Sequence, residues 1–287
     1  LTDFDASGLS GKLVLSVSGT NASKKATYTA PSSQTTFDFA SGKLNYLDTV
    51  KGGSSTKDEL TAVVTGLTAT TGDLNISGIE TLTFNTTNDN IIDLTNVTGA
   101  STLEVSANVQ TITGLDLTSG LTIRADDITG GAKGDATLKV TATDSTGDAD
   151  VLKVARRLST AGDGTTTVQT SGIETLNIVV EDTIGGANTA TWALSKFDGT
   201  SIVASEGSKD TADVAIDLGT LKSTVNSIDT SGVKGAQTAV ASAATSSVTF
   251  NGNGKAVNTF TGGERDDTFT ISETGAVTHS LSGGDGS

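Results

Sequence analysis

Oxygen-bearing side chains recur at fixed spacing in two adjacent nine-residue segments near the C-terminus, residues 253–261 and 262–270. Both segments end in Thr-Phe-Thr, and the second reads Gly-Gly-Glu-Arg-Asp-Asp-Thr-Phe-Thr. This pattern follows the calcium-binding nonapeptide G-G-x-G-x-D-x-U-x, in which U is a large apolar residue. Glycine permits tight turns that expose carbonyl oxygens, and calcium takes about six to eight oxygen ligands. The spacing therefore predicts calcium-binding turns between short strands.

Asp267 is the leading candidate ligand, because it occupies the aspartate position of the nonapeptide, two places before Phe269. Backbone carbonyls are expected to come from three neighbouring residues: Gly262, Glu264 and Asp266. Arg265 replaces the third glycine of the pattern, and in the preceding segment Asn258 replaces the aspartate. An amide is a weaker ligand than a carboxylate, so we expect only one or two calcium ions here. The alternative is a surface turn capped by its own Asp side chain.

Other aspartates in Gly- or Asp-rich turns are weaker candidates for calcium ligands: Asp285, Asp148, Asp150 and Asp58. Asp150 and Asp58 each stand two places before a leucine, as the nonapeptide requires. Asp285 follows a third Gly-Gly pair, but at a position that the nonapeptide leaves variable. The alternative is that these residues only form turns.

Residue types give little support to catalysis. His279 is the only histidine, and no nucleophile-elbow sequence surrounds it. Carboxylate pairs of the kind that glycosidases use are uninformative in a chain with 33 acidic residues. We therefore predict no catalytic residue, no organic cofactor and no enzymatic activity. The enzyme alternative is a parallel β-helix lyase, which combines calcium with a basic residue, here Arg124, or Arg156 together with Arg157.

The 287-residue chain carries a formal net charge of −15. This charge argues against nucleic-acid binding, because phosphates require Lys and Arg. The chain has no Cys, which excludes disulfides and thiolate metal sites. No apolar stretch approaches the ~18 residues of a transmembrane helix, so we predict no transmembrane segment. No export signal is visible in the sequence.

Short alternating apolar pairs, such as Leu82 with Phe84 and Leu103 with Val105, recur between Gly, Asn and Asp residues. A period of two predicts strands with one buried face. Longer strands are expected at residues 12–18 and 35–39. The sequence therefore predicts an all-β, elongated fold built as a β-solenoid, with β-sandwich modules as the alternative.

Residues 150–160 are ambiguous. Val151, Val154 and Leu158 have helical spacing, with Asp150 as a possible N-cap. Alignment with the other repeat predicts a strand instead, and we favour the strand.

The hexapeptide Ser-Gly-Ile-Glu-Thr-Leu occurs twice, at residues 77–82 and 171–176. Each copy follows a Gly/Asp-rich turn and an apolar segment, which indicates tandem modules. We interpret the hexapeptide as structural, with its Ile and Leu in the core. The predicted organisation is the end of a preceding β module at 1–50, β modules at 51–144 and 145–251, and degenerate calcium-binding repeats at 252–287.

A Gly/Asp turn, Asp-x-Leu-x-Val at residues 150–154 and the hexapeptide together resemble bacterial S-layer proteins of the RTX type, as do residues 94–105. The resemblance covers roughly residues 50–287. It implies a secreted, extracellular protein that binds Ca²⁺ and self-assembles into a two-dimensional lattice on the bacterial cell surface. It also implies export by type I secretion and anchoring to a surface glycan such as lipopolysaccharide. An RTX adhesin, or the non-catalytic part of a type I-secreted enzyme, is the alternative.

Overall fold

The computed structural model describes residues 3–18, 25–64, 74–85, 90–105, 109–125, 136–142, 150–158, 164–182, 188–207, 214–254, 256–272 and 277–284. The chain forms two compact units. Unit 1 comprises Leu1–Arg124 and Thr141–Asp144, and unit 2 comprises Ala125–Val140 and Ser145–Ser287.

Nearly all regular structure is β. The first half of the chain contains β1 (Asp3–Asp5), β2 (Leu13–Val17), β3 (Thr27–Thr29), β4 (Thr35–Phe39), β5 (Thr49–Lys51), β6 (Glu59–Val63), β7 (Asn75–Ser77), β8 (Thr81–Asn85), β9 (Asn90–Asp93), β10 (Val97–Thr98), β11 (Thr102–Val105), β12 (Val109–Leu115), the 3-10 helix η1 (Leu117–Ser119) and β13 (Thr122–Ala125). The second half contains β14 (Ala136–Ala142), β15 (Val151–Leu158), β16 (Thr166–Ser171), β17 (Thr175–Asp182), β18 (Thr189–Lys196), β19 (Ser201–Glu206), β20 (Ala215–Thr220), β21 (Ser227–Gly232), β22 (Gln237–Val240), β23 (Thr249–Asn253), β24 (Asn258–Thr261), β25 (Thr268–Ser272) and β26 (Ser280–Ser282).

Unit 1 winds as a parallel β-solenoid. Strands β1, β3, β5, β7 and β10 form one sheet, and β2, β4, β6, β8 and β11 form a second. Each pairing is parallel, and the chain returns to the same sheet after one coil. In-register apolar residues stack from coil to coil along the second sheet, in the order Leu15, Phe37, Leu60, Leu82 and Leu103.

Unit 2 repeats this arrangement. Strands β15, β17, β19, β21, β23 and β25 form one parallel sheet, and β16, β18, β20, β22, β24 and β26 lie in another. The inward column of the first sheet is apolar and runs Leu152, Leu176, Ile202, Ile228 and Phe250, each at most 1 % exposed. Phe250 stacks on Phe260 and on Phe269, with ring centroids 5.0 and 5.2 Å apart.

The predicted all-β solenoid is confirmed, and the sandwich alternative is wrong for the described chain. A Greek-key sandwich consists of antiparallel sheets, whereas the pairings here are parallel. The longer strands predicted at residues 12–18 and 35–39 are β2 and β4. The ambiguous segment is also a strand over Val151–Leu158, because β15 pairs with β17 over eight consecutive residues. Inter-strand hydrogen bonding therefore outweighs the helical spacing of Val151, Val154 and Leu158.

The one helix among the described residues is η1, which has three residues. Within that part of the chain, no helix is long and apolar enough to cross a membrane.

Candidate functional site

The repeated hexapeptide forms the corner through which the chain enters β8 in unit 1 and β17 in unit 2. Gly78 and Gly172 have φ of +63° and +68°, a left-handed conformation that glycine adopts without steric cost. The following isoleucines, Ile79 and Ile173, are at most 1 % exposed. Strands β8 and β17 then begin at the hexapeptide threonine. The predicted core position of the isoleucine is thus confirmed in both copies.

The hexapeptide glutamate ties this corner to the preceding coil. Oε2 of Glu80 accepts the backbone N–H of Asp58 at 2.7 Å, and Oε2 of Glu174 accepts the N–H of Asp150 at 2.9 Å. In each case the donor lies opposite the glutamate in the parallel register, since Glu59 pairs with Thr81 and Val151 with Thr175. The same bond in both units accounts for the repetition of this glutamate.

Asp58 makes the corresponding bond one coil earlier. Its Oδ1 accepts the N–H of Thr35 at 2.7 Å, and its Oδ2 accepts the N–H of Gly53 at 2.9 Å. The residue is fully buried. Its carboxylate therefore joins the preceding coil to its own turn.

Asp267 repeats this geometry in unit 2. Its Oδ1 accepts the N–H of Val248 at 2.8 Å, and its Oδ2 accepts the N–H of Gly263 at 3.1 Å. Both turns thus combine a Gly-Gly pair, a following Asp and a donor one coil earlier.

Asp48 makes the equivalent bond in the sheet of unit 1 that contains β1, β3, β5, β7 and β10. Its Oδ1 accepts the N–H of Ala26 at 2.9 Å, while the backbone and side-chain amides of Asn45 donate to Oδ2. Burial raises the pKa of the Asp48 carboxyl above its usual 3.8, although the bonds from Asn45 and Ala26 oppose that shift. Burial also raises the pKa of the neighbouring Tyr28 hydroxyl, and the charge of Asp48 adds to the effect.

One rule covers these acids. Each stands directly before a strand and accepts the backbone N–H of the residue in equivalent register one coil earlier. We call this arrangement a coil clamp, and the described clamp acids are Asp48, Asp58, Glu80, Glu174 and Asp267. Hydrogen bonds to charged groups typically contribute about 1.5–3 kcal/mol, and less where solvent competes. Clamps therefore stabilise the contact between successive coils at the corners, just before the paired strands begin.

Glycine pairs make room for two of these clamps. A Cβ at Gly262 would lie 1.7 Å from Oδ2 of Asp267, and one at Gly53 would lie 1.7 Å from the carbonyl oxygen of Pro31. Real Cβ atoms do not approach so closely, so any other residue would displace the carboxylate or the backbone. Glycine is thus required at Gly262 by the close approach of a carboxylate and at Gly53 by the close approach of backbone.

The structure distributes the predicted metal ligands over separate corners. Asp267 lies beside Gly262 within one turn, where Glu264 and Asp266 are exposed. Asp58 and Asp150 belong to other clamps. Asp148 and Asp285 lie outside the described residues. Among the residues that are described, no group of three or more acidic or histidine side chains converges on one point.

Asn258, the remaining predicted ligand, lies at a different sheet from Asp267. It is fully buried, and its Nδ2 donates to the carbonyl oxygen of Asn253. Nδ1 of His279 accepts the Asn258 backbone N–H at 3.3 Å and lies 3.0 Å from its Nδ2. The histidine thus occupies a clamp-like position, since the strands that follow it and Asn258 pair in register.

The donor chemistry of the Asp267 turn fits a hard cation. A carboxylate and backbone carbonyls are the oxygen ligands that calcium prefers, and a carboxylate oxygen that accepts one N–H keeps a second lone pair. Exposed carboxylates at Glu264 and Asp266 stand in the same turn. The Asp267 carboxylate and the backbone carbonyls predicted at Gly262, Glu264 and Asp266 thus have the donor types that calcium prefers.

Basic residues considered for a lyase have structural partners. Nη1 of Arg124 lies 3.0 Å from Oε1 of Glu104. Arg156 is 5 % exposed, and its guanidinium donates to Oγ1 of Thr166 and to a backbone carbonyl. Arg157 lies 3.7 Å from Oε2 of Glu181. These contacts give each arginine a role in packing neighbouring segments.

Sequence reasoning missed the buried acid Glu206. Its Oε2 lies 2.7 Å from Nζ of Lys234, and its Oε1 accepts the backbone N–H of the same lysine at 2.6 Å. No local sequence signal marks this pair, because the two residues meet only through the coil repeat.

Comparison of the chain with protein-family models, with curated proteins and with solved structures found no match.

Proposed function

We propose that this protein is a structural component of a bacterial surface layer, in which calcium-supported β-solenoid coils form a self-associating scaffold. The observation that carries the proposal is the pair of equivalent clamps, Glu80 to Asp58 and Glu174 to Asp150. The most strongly repeated residues of the chain serve to hold coils together. A scaffold needs such repetition, whereas catalysis needs a unique constellation.

Calcium is the proposed cofactor. The candidate ligands are the Asp267 carboxylate and the backbone carbonyls of Gly262, Glu264 and Asp266. The weaker candidates are Asp58, Asp150, Asn258, Asp148 and Asp285. When bound, calcium supplies a positive charge that offsets part of the net charge of −15. Any ligand that binds only the folded chain stabilises that state by mass action.

The proposed location is the extracellular surface of a bacterial cell, reached by type I secretion. The proposed partners are further copies of the chain and a surface glycan such as lipopolysaccharide. Low calcium inside the cell leaves the acidic chain less stable during export, and higher calcium outside favours folding. Folding is thus coupled to arrival at the surface.

Thermal unfolding in calcium and in chelator tests the cofactor. At a calcium concentration of about 100 times Kd, stabilisation is about 2.7 kcal/mol, which for a unit of this size raises Tm by roughly 5–10 °C. We expect Asp267→Asn to reduce this increment. The matched control is Glu80→Gln, which alters a clamp but no predicted metal ligand, and should keep the full increment.

An identical Tm in calcium and chelator would contradict the calcium proposal. A full increment in Asp267→Asn would place calcium elsewhere in the chain. Electron microscopy of the protein with calcium tests the scaffold, for which ordered arrays are expected. Particles that stay monodisperse under all conditions would favour the adhesin alternative.

A further inference from the structure

The outward face of the sheet formed by β15, β17, β19, β21, β23 and β25 is close to electrically neutral. The first row of this face contains only uncharged residues, in the register order Val151, Thr175, Ser201, Ser227, Thr249 and Thr268. The second row contains one cation and one anion, in the order Lys153, Asn177, Val203, Asp229, Asn251 and Thr270. All twelve side chains are exposed or half-buried.

The equivalent face of unit 1 is acidic. Its outward rows on β4, β6 and β11 include Asp38, Glu59 and Glu104, of which only Glu104 has an arginine partner among the described residues, Arg124. Copies of a chain with a net charge of −15 repel one another, and they approach at least cost where the local charge is zero. The centres of protein interfaces are likewise depleted of charged residues. The neutral face of unit 2 therefore tolerates a second copy better than the equivalent face of unit 1 does.

The two charges on the neutral face are arranged to complement a second copy. Lys153 and Asp229 lie in the same row, three strands apart, which is about 14 Å at the usual spacing of parallel strands. A two-fold axis between Asn177 and Val203 would bring Lys153 of one copy opposite Asp229 of the other, and the reverse. Isologous contacts have this reciprocal character. Within the described residues, Oδ1 of Asp229 accepts bonds from the backbone and hydroxyl of Ser231.

We propose that this face is the surface through which two copies of the chain associate, with Lys153 of each opposite Asp229 of the other. The inference rests on the proposed scaffold function and names the contact between copies. Six strands of about five residues give a face of roughly 400 Å² per copy. That is about half the area per partner of a typical stable interface. The contact is thus weak in isolation and gains strength where many copies bind at once.

Sedimentation of the 287-residue chain over a range of concentrations, in calcium, tests the surface. We expect Lys153→Glu to weaken association about tenfold or more, because it places like charges opposite one another twice. Asp229→Lys should act similarly, and the double charge swap should restore association. Ser201→Glu is a second disruptive variant that leaves the Asp229–Ser231 bonds intact. The matched control is Lys139→Glu, an exposed lysine on β14 with the same change in charge.

Each result has a distinct meaning. If the wild-type protein associates but Lys153→Glu and Ser201→Glu do not weaken that association, copies do not associate through this face. The proposed scaffold function is then unaffected. The surface is also wrong if Lys139→Glu weakens association equally, or if the charge swap does not restore it. If the wild-type protein stays monomeric at every concentration, with and without calcium, both proposals fail.

Discussion

Single carboxylates in the coil clamps join backbone segments that are distant in sequence. Asp58 bonds Thr35 in the preceding coil and Gly53 in its own turn, with both oxygens engaged. Because the donors are backbone amides, the neighbouring coil can vary in sequence while the clamp acid is retained. The acid at the start of a strand is therefore the residue on which the join depends.

Removing a clamp acid should destabilise its own unit. For Glu80→Ala we expect a loss of about 1–2 kcal/mol in the free energy of unfolding, because the Asp58 N–H loses a charged acceptor. Glu174→Ala should cost a similar amount in unit 2. Denaturant unfolding measures both losses. Asp38→Ala removes an exposed acid of the same unit and is the control; equal effects of Glu80→Ala and Asp38→Ala would contradict the clamp.

Asp48 should make a distinctive contribution to the pH dependence of stability. Burial raises its folded-state pKa above 3.8, so between 3.8 and the folded pKa the folded chain binds more protons than the unfolded chain. Its contribution to stability is therefore greatest below pH 3.8 and falls as pH rises through that window. We expect the free energy of unfolding of the wild type, relative to Asp48→Asn, to decrease over this range. A difference that grows with pH would contradict the assignment.

At the scale of elements, corners constrain the sequence more than strands do. Inward strand positions accept Leu, Ile or Phe in turn, as the columns from Leu15 to Leu103 and from Leu152 to Phe250 show. At the corners, by contrast, glycines approach neighbouring backbone too closely for any side chain.

Gly53→Ala tests this constraint directly. Its Cβ would lie 1.7 Å from the carbonyl oxygen of Pro31, so we expect the preceding turn to shift at a cost of about 1–3 kcal/mol. Gly8→Ala is the control, since nothing lies within 4 Å of a Cβ at that position. Its effect should stay within about 0.5 kcal/mol. Denaturant unfolding of the two variants gives the comparison, and equal stabilities would contradict the close approach.

Strands were predictable because alternation is a local property. The pairs Leu82 with Phe84 and Leu103 with Val105 identify β8 and β11 without knowledge of their neighbours. The clamps were not predictable, because each donor lies one coil away and coil length varies along the chain. For the same reason, the sequence predicts Asp58 and Asp267 as calcium ligands or turn formers but does not predict their bonds to Thr35 and Val248.

At the scale of the molecule, both units consist of parallel coils, but their strands are distributed differently among the sheets. The smaller sheet of unit 1 ends at β10, and the coil that follows places η1 after β12. In unit 2 each sheet gains one strand per coil from β15 to β26. The solenoid was predictable from evenly spaced short strands. The sheet to which each strand belongs was not predictable, because no local signal distinguishes a strand of one sheet from a strand of another.

The clamps also have a direction. Each acid reaches back to the coil before it, so Thr35 is covered by Asp58, and Asp58 in turn by Glu80. The amide hydrogen at a corner can exchange with solvent only after the following coil has moved away. Hydrogen exchange at the Asp58 amide therefore reports the opening of the coil that carries Glu80, and fraying from the C-terminal side of a unit should release these amides one after another.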